Sequence, residues 1–159
     1  MSTTATPRSA TTAVGRPAGA IDPRSPQLAA ALTAVVLVAV LLLPSPANVV
    51  LLAVQAVLFA AGAVRGVQAT PHAWLFRTFV RPRLAAPTEW EAPEPPRFAQ
   101  AVGLAFSLVG LVAFLAGATV LGQVAVGFAL VAALLNALFA FCLGCEVYLL
   151  ARRITAPSS

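Results

Sequence analysis

Apolar residues along this chain gather into four long stretches that come in two pairs. The first runs from Gln27 to Leu43 and stops at Pro44-Ser45-Pro46-Ala47. The second begins at Asn48, whose side chain can cap a helix, and lasts to Val64. The third covers Ala99 to Ala118, and after a break at Gly117-Ala118-Thr119 the fourth runs on to Leu150. At 1.5 Å per residue the first stretch covers roughly 25 Å, the short end of what crosses a bilayer. The pattern predicts spans at about 27–43, 48–64, 99–118 and 122–150. The last exceeds one bilayer thickness, so that helix is expected to tilt or to begin late.

The polar segments divide as clearly. Residues 1–26 combine Thr, Ser, Ala, Pro and Gly with Arg8, Arg16 and Arg24, too little apolar surface to order a tail. Residues 154–159 form a second tail. The connection 65–98 is the one long polar loop. In its first half, Pro71 to Val80, Trp74, Leu75, Phe76 and Phe79 surround Arg77, which predicts a short helix lying in the membrane interface. Its second half, Pro87 to Pro96, is acidic and has four prolines in ten residues, which excludes a regular helix there.

Composition narrows the class. Hydrophobic residues make up 60% of the 159 and charged ones 9%, against about 25% charged in a soluble domain. A water-soluble globular enzyme is excluded, as is disorder for most of the chain. The fold predicted is all-α: a polytopic membrane protein with four transmembrane helices in two hairpins. A cleaved leader at Arg24 to Ala47 is not expected, since the apolar stretch outruns a leader's core and proline crowds the cleavage point.

Charge sets an orientation. The ten basic residues are all Arg: three in the N-terminal tail, five in the central loop and two at the C-terminal end, with none in either hairpin turn. The positive-inside rule then places both termini and the loop in the cytoplasm. Absence of Lys and abundance of Ala fit a high-GC bacterial genome, hence the inner (plasma) membrane. A pI near 11.1 suggests nucleic acid in a soluble protein. Here membrane topology explains it, and no basic patch carries interleaved aromatics to stack bases. The partner expected is the lipid bilayer, not nucleic acid.

The sharpest chemical feature is Cys142-Leu143-Gly144-Cys145-Glu146, which holds both cysteines of the protein. At helical spacing i and i+3 the two sulfurs share a face. On a fourth span ending at Leu150 the pair lies near the inner surface, on the reducing side, where a permanent disulfide is not expected. A C-terminal helix end disfavours thiolate, and Glu146 adds repulsion as a candidate modulator. A pair oxidised, metallated or sulfur-loaded by a partner fits better than an autonomous nucleophile. Plain packing of two small apolar side chains is the competing reading. A metal would draw on Cys142, Cys145 and Glu146, with His72 the one histidine available. No cofactor is expected. No phosphate loop, Ser-His-Asp set or paired catalytic carboxylates can be assembled.

The polar residues that stand out within the spans are Gln55, Ser107, Gln123, Asn136 and Glu146. Gln55 and Asn136 are expected to join helices by hydrogen bonds, or alternatively to line a small-solute path. On a helix ending at Leu150, Asn136 would be deep, roughly 20 Å inside. No acidic residue sits at mid-membrane, which disfavours proton-coupled transport.

Four blocks of sequence resemble a bacterial membrane family known as domain of unknown function 4395, over roughly Ile21 to Arg153. They are Ile21-Asp22-Pro23-Arg24, Arg81-Pro82-Arg83-Leu84 and Pro95-Pro96-Arg97-Phe98-Ala99-Gln100. The fourth is Leu135-Asn136-Ala137 with Phe141-Cys142-Leu143-Gly144-Cys145-Glu146-Val147-Tyr148. The resemblance implies a several-span membrane protein of no settled biochemical role, and an association with thioredoxin-like or sulfurtransferase partners. Three functions fit this sequence: an accessory to thiol-redox or sulfur handling through Cys142 and Cys145, a small-solute permease or its subunit, and a membrane scaffold.

Overall fold

A computed structural model describes residues 19–87 and 89–155. Among them lie six α-helices: α1 (Arg24–Leu42), α2 (Ala47–Arg65), α3 (Pro71–Leu75), α4 (Glu94–Leu115), α5 (Thr119–Phe139) and α6 (Leu143–Thr155). Four of them, α1, α2, α4 and α5, are long and apolar enough to cross a membrane, and the chain is an all-helical multi-pass membrane protein. The short helix expected at 71–80 forms as α3, then widens into a π-helical turn at Phe76–Val80 and tightens in a 3-10 turn at Arg81–Arg83. Most of the expected N-terminal tail, residues 1–18, and residues 156–159 of the C-terminal one lie outside the described residues.

The tight connections at 43–46 and 116–118 make each hairpin antiparallel. Around the bundle α1 packs on α5, α5 on α4, α4 on α2 and α2 on α1. Leu37, Val40, Leu52, Val126 and Ala129 meet at its centre. Lipid tails are as apolar as these side chains, so close approach rather than escape from water holds such helices together. Gly110 shows the principle: a Cβ there would come within 3.1 Å of a Leu52 methyl and 3.2 Å of a Val126 methyl.

Helix ends in this setting must find partners for their free carbonyls. At the end opposite the two hairpin turns they do so by neighbouring side chains. The Arg97 guanidinium, at the start of α4, donates to the carbonyls of Ala63 (3.2 Å) and Val64 (3.0 Å) that close α2. Gln27 of α1 donates its amide to the Ala137 carbonyl of α5 (3.1 Å). A cation at a helix C-terminus also meets the negative end of the helix dipole.

The lead-in to α1 is ordered from Gly19, which corrects the expectation of a disordered tail through residue 26. Ile21 and Glu91 exchange two backbone hydrogen bonds of 2.9 and 3.0 Å. Asp22 is buried and grips Arg24 through both its backbone N–H and its guanidinium (3.0 Å each). Arg24 reaches on to the Ala85 carbonyl (3.0 Å), which ties lead-in to loop. Within the stretch 87–96, expected to exclude a regular helix, α4 already begins at Glu94. Pro95 and Pro96 fall in its first turn, where an N–H has no intrahelical partner to lose.

The expected span at 122–150 is corrected to two helices. Helix α5 stops at Phe139 because Ala140 adopts a left-handed conformation, φ 53°. The N–H groups of Ala140 and Phe141 then turn back on the carbonyls of Asn136 (3.1 Å) and Leu135 (3.3 Å). Left-handed caps are usually Gly, and an L-residue there costs roughly 1–2 kcal/mol. Ala140→Gly is therefore expected to raise stability by about 1 kcal/mol, read as denaturant or thermal unfolding in detergent micelles. A loss of about 1 kcal/mol, the penalty of Gly inside a helix, would show that the helix runs through.

Candidate functional site: a disulfide opening the last helix

Breaking the chain at Ala140 moves the cysteines from the end of one helix to the start of another. Cys142 immediately precedes α6, and Cys145 lies in its first turn. They are joined by a disulfide, with Cα atoms 5.2 Å apart. The i, i+3 proximity expected from the spacing is found. The disulfide itself departs from the expectation of a resting dithiol, and the expected C-terminal placement is overturned.

That placement reverses the electrostatics. The first N–H groups of a helix have no intrahelical acceptor. Here the N–H of Cys145 donates to Cys142 Sγ (3.3 Å), and the N–H of Glu146 donates to the Cys142 carbonyl (3.0 Å). Cys142 thus occupies the position of a capping residue. When the bond is reduced, the positive end of the α6 dipole and the Cys145 N–H favour negative charge on the Cys142 sulfur. Glu146, also in this first turn, sits where a carboxylate is welcome. It offsets part of the same positive field instead of adding to a negative one.

Helix α6 is held on α4 by a small-residue contact. A Cβ on Gly144 would lie 2.7 Å from both Cα and Cβ of Ala99, so only glycine permits this approach. One turn on, the Tyr148 and Phe98 rings meet with centroids 5.7 Å apart. Leu143, Val147, Leu150 and Ile154 form a stripe at i, i+4, i+7 and i+11 that the bundle leaves exposed. Arg152 and Arg153 follow on the polar side. This is the composition of a helix lying in a membrane interface.

A cavity of about 300 Å³ opens beside the disulfide between α1, α4, α5 and α6. Cys142 and Gly144 belong to its wall, which is otherwise apolar apart from Thr33, Gln100 and Asn136. With the span ending at Phe139, Asn136 lies one turn from a helix end, which corrects the expectation of a deep residue. Gln55 joins helices as expected, its amide donating to Thr33 Oγ1 (3.4 Å), while Gln55 Oε1 and Ser107 Oγ are buried without a partner among the described residues. Gln123 lines a second cavity of about 290 Å³ at the hairpin end, with Ser45, Asn48 and Thr119.

His72 lies in α3, half-buried, and burial pushes it below the ordinary imidazole value of 6.5. Among the described residues no group of three or more His, Cys, Asp or Glu side chains is arranged to hold a metal ion. The structure therefore does not gather His72 with Cys142, Cys145 and Glu146. Thr33 and Gln100 were the site residues that the sequence left unclaimed. Each is a polar side chain inside an apolar run, a signal like the one that drew attention to Gln55.

Two outcomes test this geometry. Gly144→Ala is expected to lever α6 away from α4 and to speed reduction of the disulfide by a small water-soluble thiol in membranes. An unchanged rate would mean that Gly144 does not set the approach. For His72, the unfolded chain takes up a proton below pH 6.5 that the folded chain resists, so stability is whole above 6.5 and declines as pH falls. His72→Gln is expected to flatten that part of the decline in a pH series of melting temperatures.

Set beside known families, the chain matches one family model over residues 21–153. No curated protein and no solved structure matches it. With a match over most of its length, the chain belongs to the family described as domain of unknown function DUF4395.

Proposed function

We propose that this membrane protein is an accessory of thiol-redox handling, with Cys142 and Cys145 as the exchanging pair and the cytosol as the side they face. The observation that carries this reading is the disulfide at the N-terminus of α6, with the Cys145 N–H directed at the Cys142 sulfur. A partner dithiol would attack Cys145 Sγ, breaking the internal bond and releasing Cys142 as the thiolate that the helix end favours. The partner's second thiol then attacks its own sulfur in the mixed disulfide, releasing Cys145 and leaving the partner oxidised. Two electrons and two protons pass to the pair. Glu146 modulates the exchange by offsetting the local positive field. A thioredoxin-like or sulfurtransferase partner has the chemistry required.

The cytosolic side is supported by the clustering of every described Arg at the end that holds the disulfide, since the hairpin turns have none. A permease reading finds less support. The packed cluster of Leu37, Val40, Leu52, Val126 and Ala129 lies between the two cavities, with Ala129 on the wall of one and Val40 on the wall of the other.

The test is redox trapping in cells. Acid-quenched and alkylated membranes are expected to contain both oxidised and reduced forms of the pair, and single Cys142→Ser and Cys145→Ser variants to retain a mixed disulfide with a partner. A pair locked in one form under added dithiothreitol or diamide, with no adduct in either variant, would contradict the reading.

A further inference from the structure

The cavity beside Cys142 has features that a packing defect would not need. Its wall is apolar except at three places. Thr33 is buried and already accepts a hydrogen bond from Gln55, so its own O–H is left to donate elsewhere. Asn136 adds a carboxamide on the same wall, and Gln100, whose carboxamide lies against Gly62 of α2, is the third polar residue there. Phe106 and Phe128 also line it, their rings 6.1 Å apart and inclined at 31°, a surface suited to a flat conjugated ring. Of its lining residues Phe128 is 62% exposed and Val131 56% exposed on the flank of the bundle, so part of its wall faces sideways toward lipid. Its volume of about 300 Å³ matches the lower range of small-molecule sites.

A lipid acyl chain would fill the apolar part but has no use for three polar side chains. A charged solute would find no countercharge, since no Asp, Glu or Arg lines the wall. A lipophilic quinone fits these features: a flat ring laid against the paired aromatic side chains, carbonyl oxygens for the Thr33 and Asn136 donors, and a tail leaving through the exposed flank. Cys142 forms part of the same wall. We infer that the cavity binds an isoprenoid-type quinone, which serves as the electron acceptor of the Cys142–Cys145 dithiol. This rests on the thiol-exchange reading above. In the step, both S–H bonds break and the S–S bond forms. The two electrons and two protons pass to the quinone, whose carbonyl oxygens become the hydroxyls of the quinol. The partner dithiol then reduces the pair again.

The experiment uses the full chain in lipid nanodiscs, reduced, freed of reductant and kept without oxygen, with decylubiquinone as probe. Quinone absorbance reports its reduction and alkylation mass the state of the cysteines. One quinone reduced per disulfide formed is expected. Asn136→Leu removes a polar contact and Ala132→Phe fills the cavity, and each is expected to slow the reaction by about tenfold or more. A Cys142→Ser/Cys145→Ser double variant is still expected to gain melting temperature from decylubiquinone. If the reduced pair ignores decylubiquinone but is oxidised by glutathione disulfide, the quinone assignment fails and thiol exchange stands. If neither reagent oxidises it, both fail. If quinone oxidises both cavity variants as fast as the unaltered protein, the reaction occurs outside the cavity and the assignment is overturned.

Discussion

One left-handed residue, Ala140, decides the character of residues 140–155. While the chain stays helical through Ala140, the apolar run to Leu150 is an overlong span with two cysteines buried near its end. Once Ala140 turns, with its N–H and that of Phe141 folded back on the carbonyls of α5, the span closes at Phe139. A new helix then starts just past the end of that span. Its first turn brings free N–H groups to the Cys142 sulfur. The electrostatic setting of the cysteine pair therefore follows from backbone conformation two residues upstream, with Glu146 in the same turn.

The same end of the bundle collects the other polar devices of the fold. Arg97 closes α2, Gln27 closes α5, and Asp22 with Arg24 binds the lead-in to the loop. Each satisfies a backbone group or a charge, and each lies in or beside a block that carries the family resemblance. The opposite end has short uncharged turns. This asymmetry is what topology demands of a chain whose cations stay on one side. It also gives the disulfide an ordered surround: Gly144 seated on Ala99, Tyr148 on Phe98, and the cavity beneath.

Much of this was legible in the sequence. Apolar length with Pro and Gly punctuation located three spans and both hairpin turns, because a bilayer imposes a length that composition alone can report. The fourth span was misread because its terminator is an alanine. Helix stops are recognised by Gly or Pro, and residue 140 is neither. A weaker signal was present in the stripe Leu143, Val147, Leu150 and Ile154 with Arg152 and Arg153 beside it, a pattern of an interfacial helix rather than a span. The pairing of Ile21 with Glu91 was invisible for another reason: it is a backbone contact across seventy residues, and no side-chain pattern announces it. The cavity likewise arises only once α6 folds back on α4.

The most direct test is a depth profile of residues 134–154, labelled one at a time with a nitroxide in nanodiscs and read by competing oxygen and nickel-chelate accessibility. Depth is expected to reach the interface at about residue 139 and then stay level through α6, with accessibility alternating at helical period. A steady progression through the bilayer that reaches the interface only at Leu150 would mean a single continuous helix, and the placement of the disulfide at a helix N-terminus would be wrong.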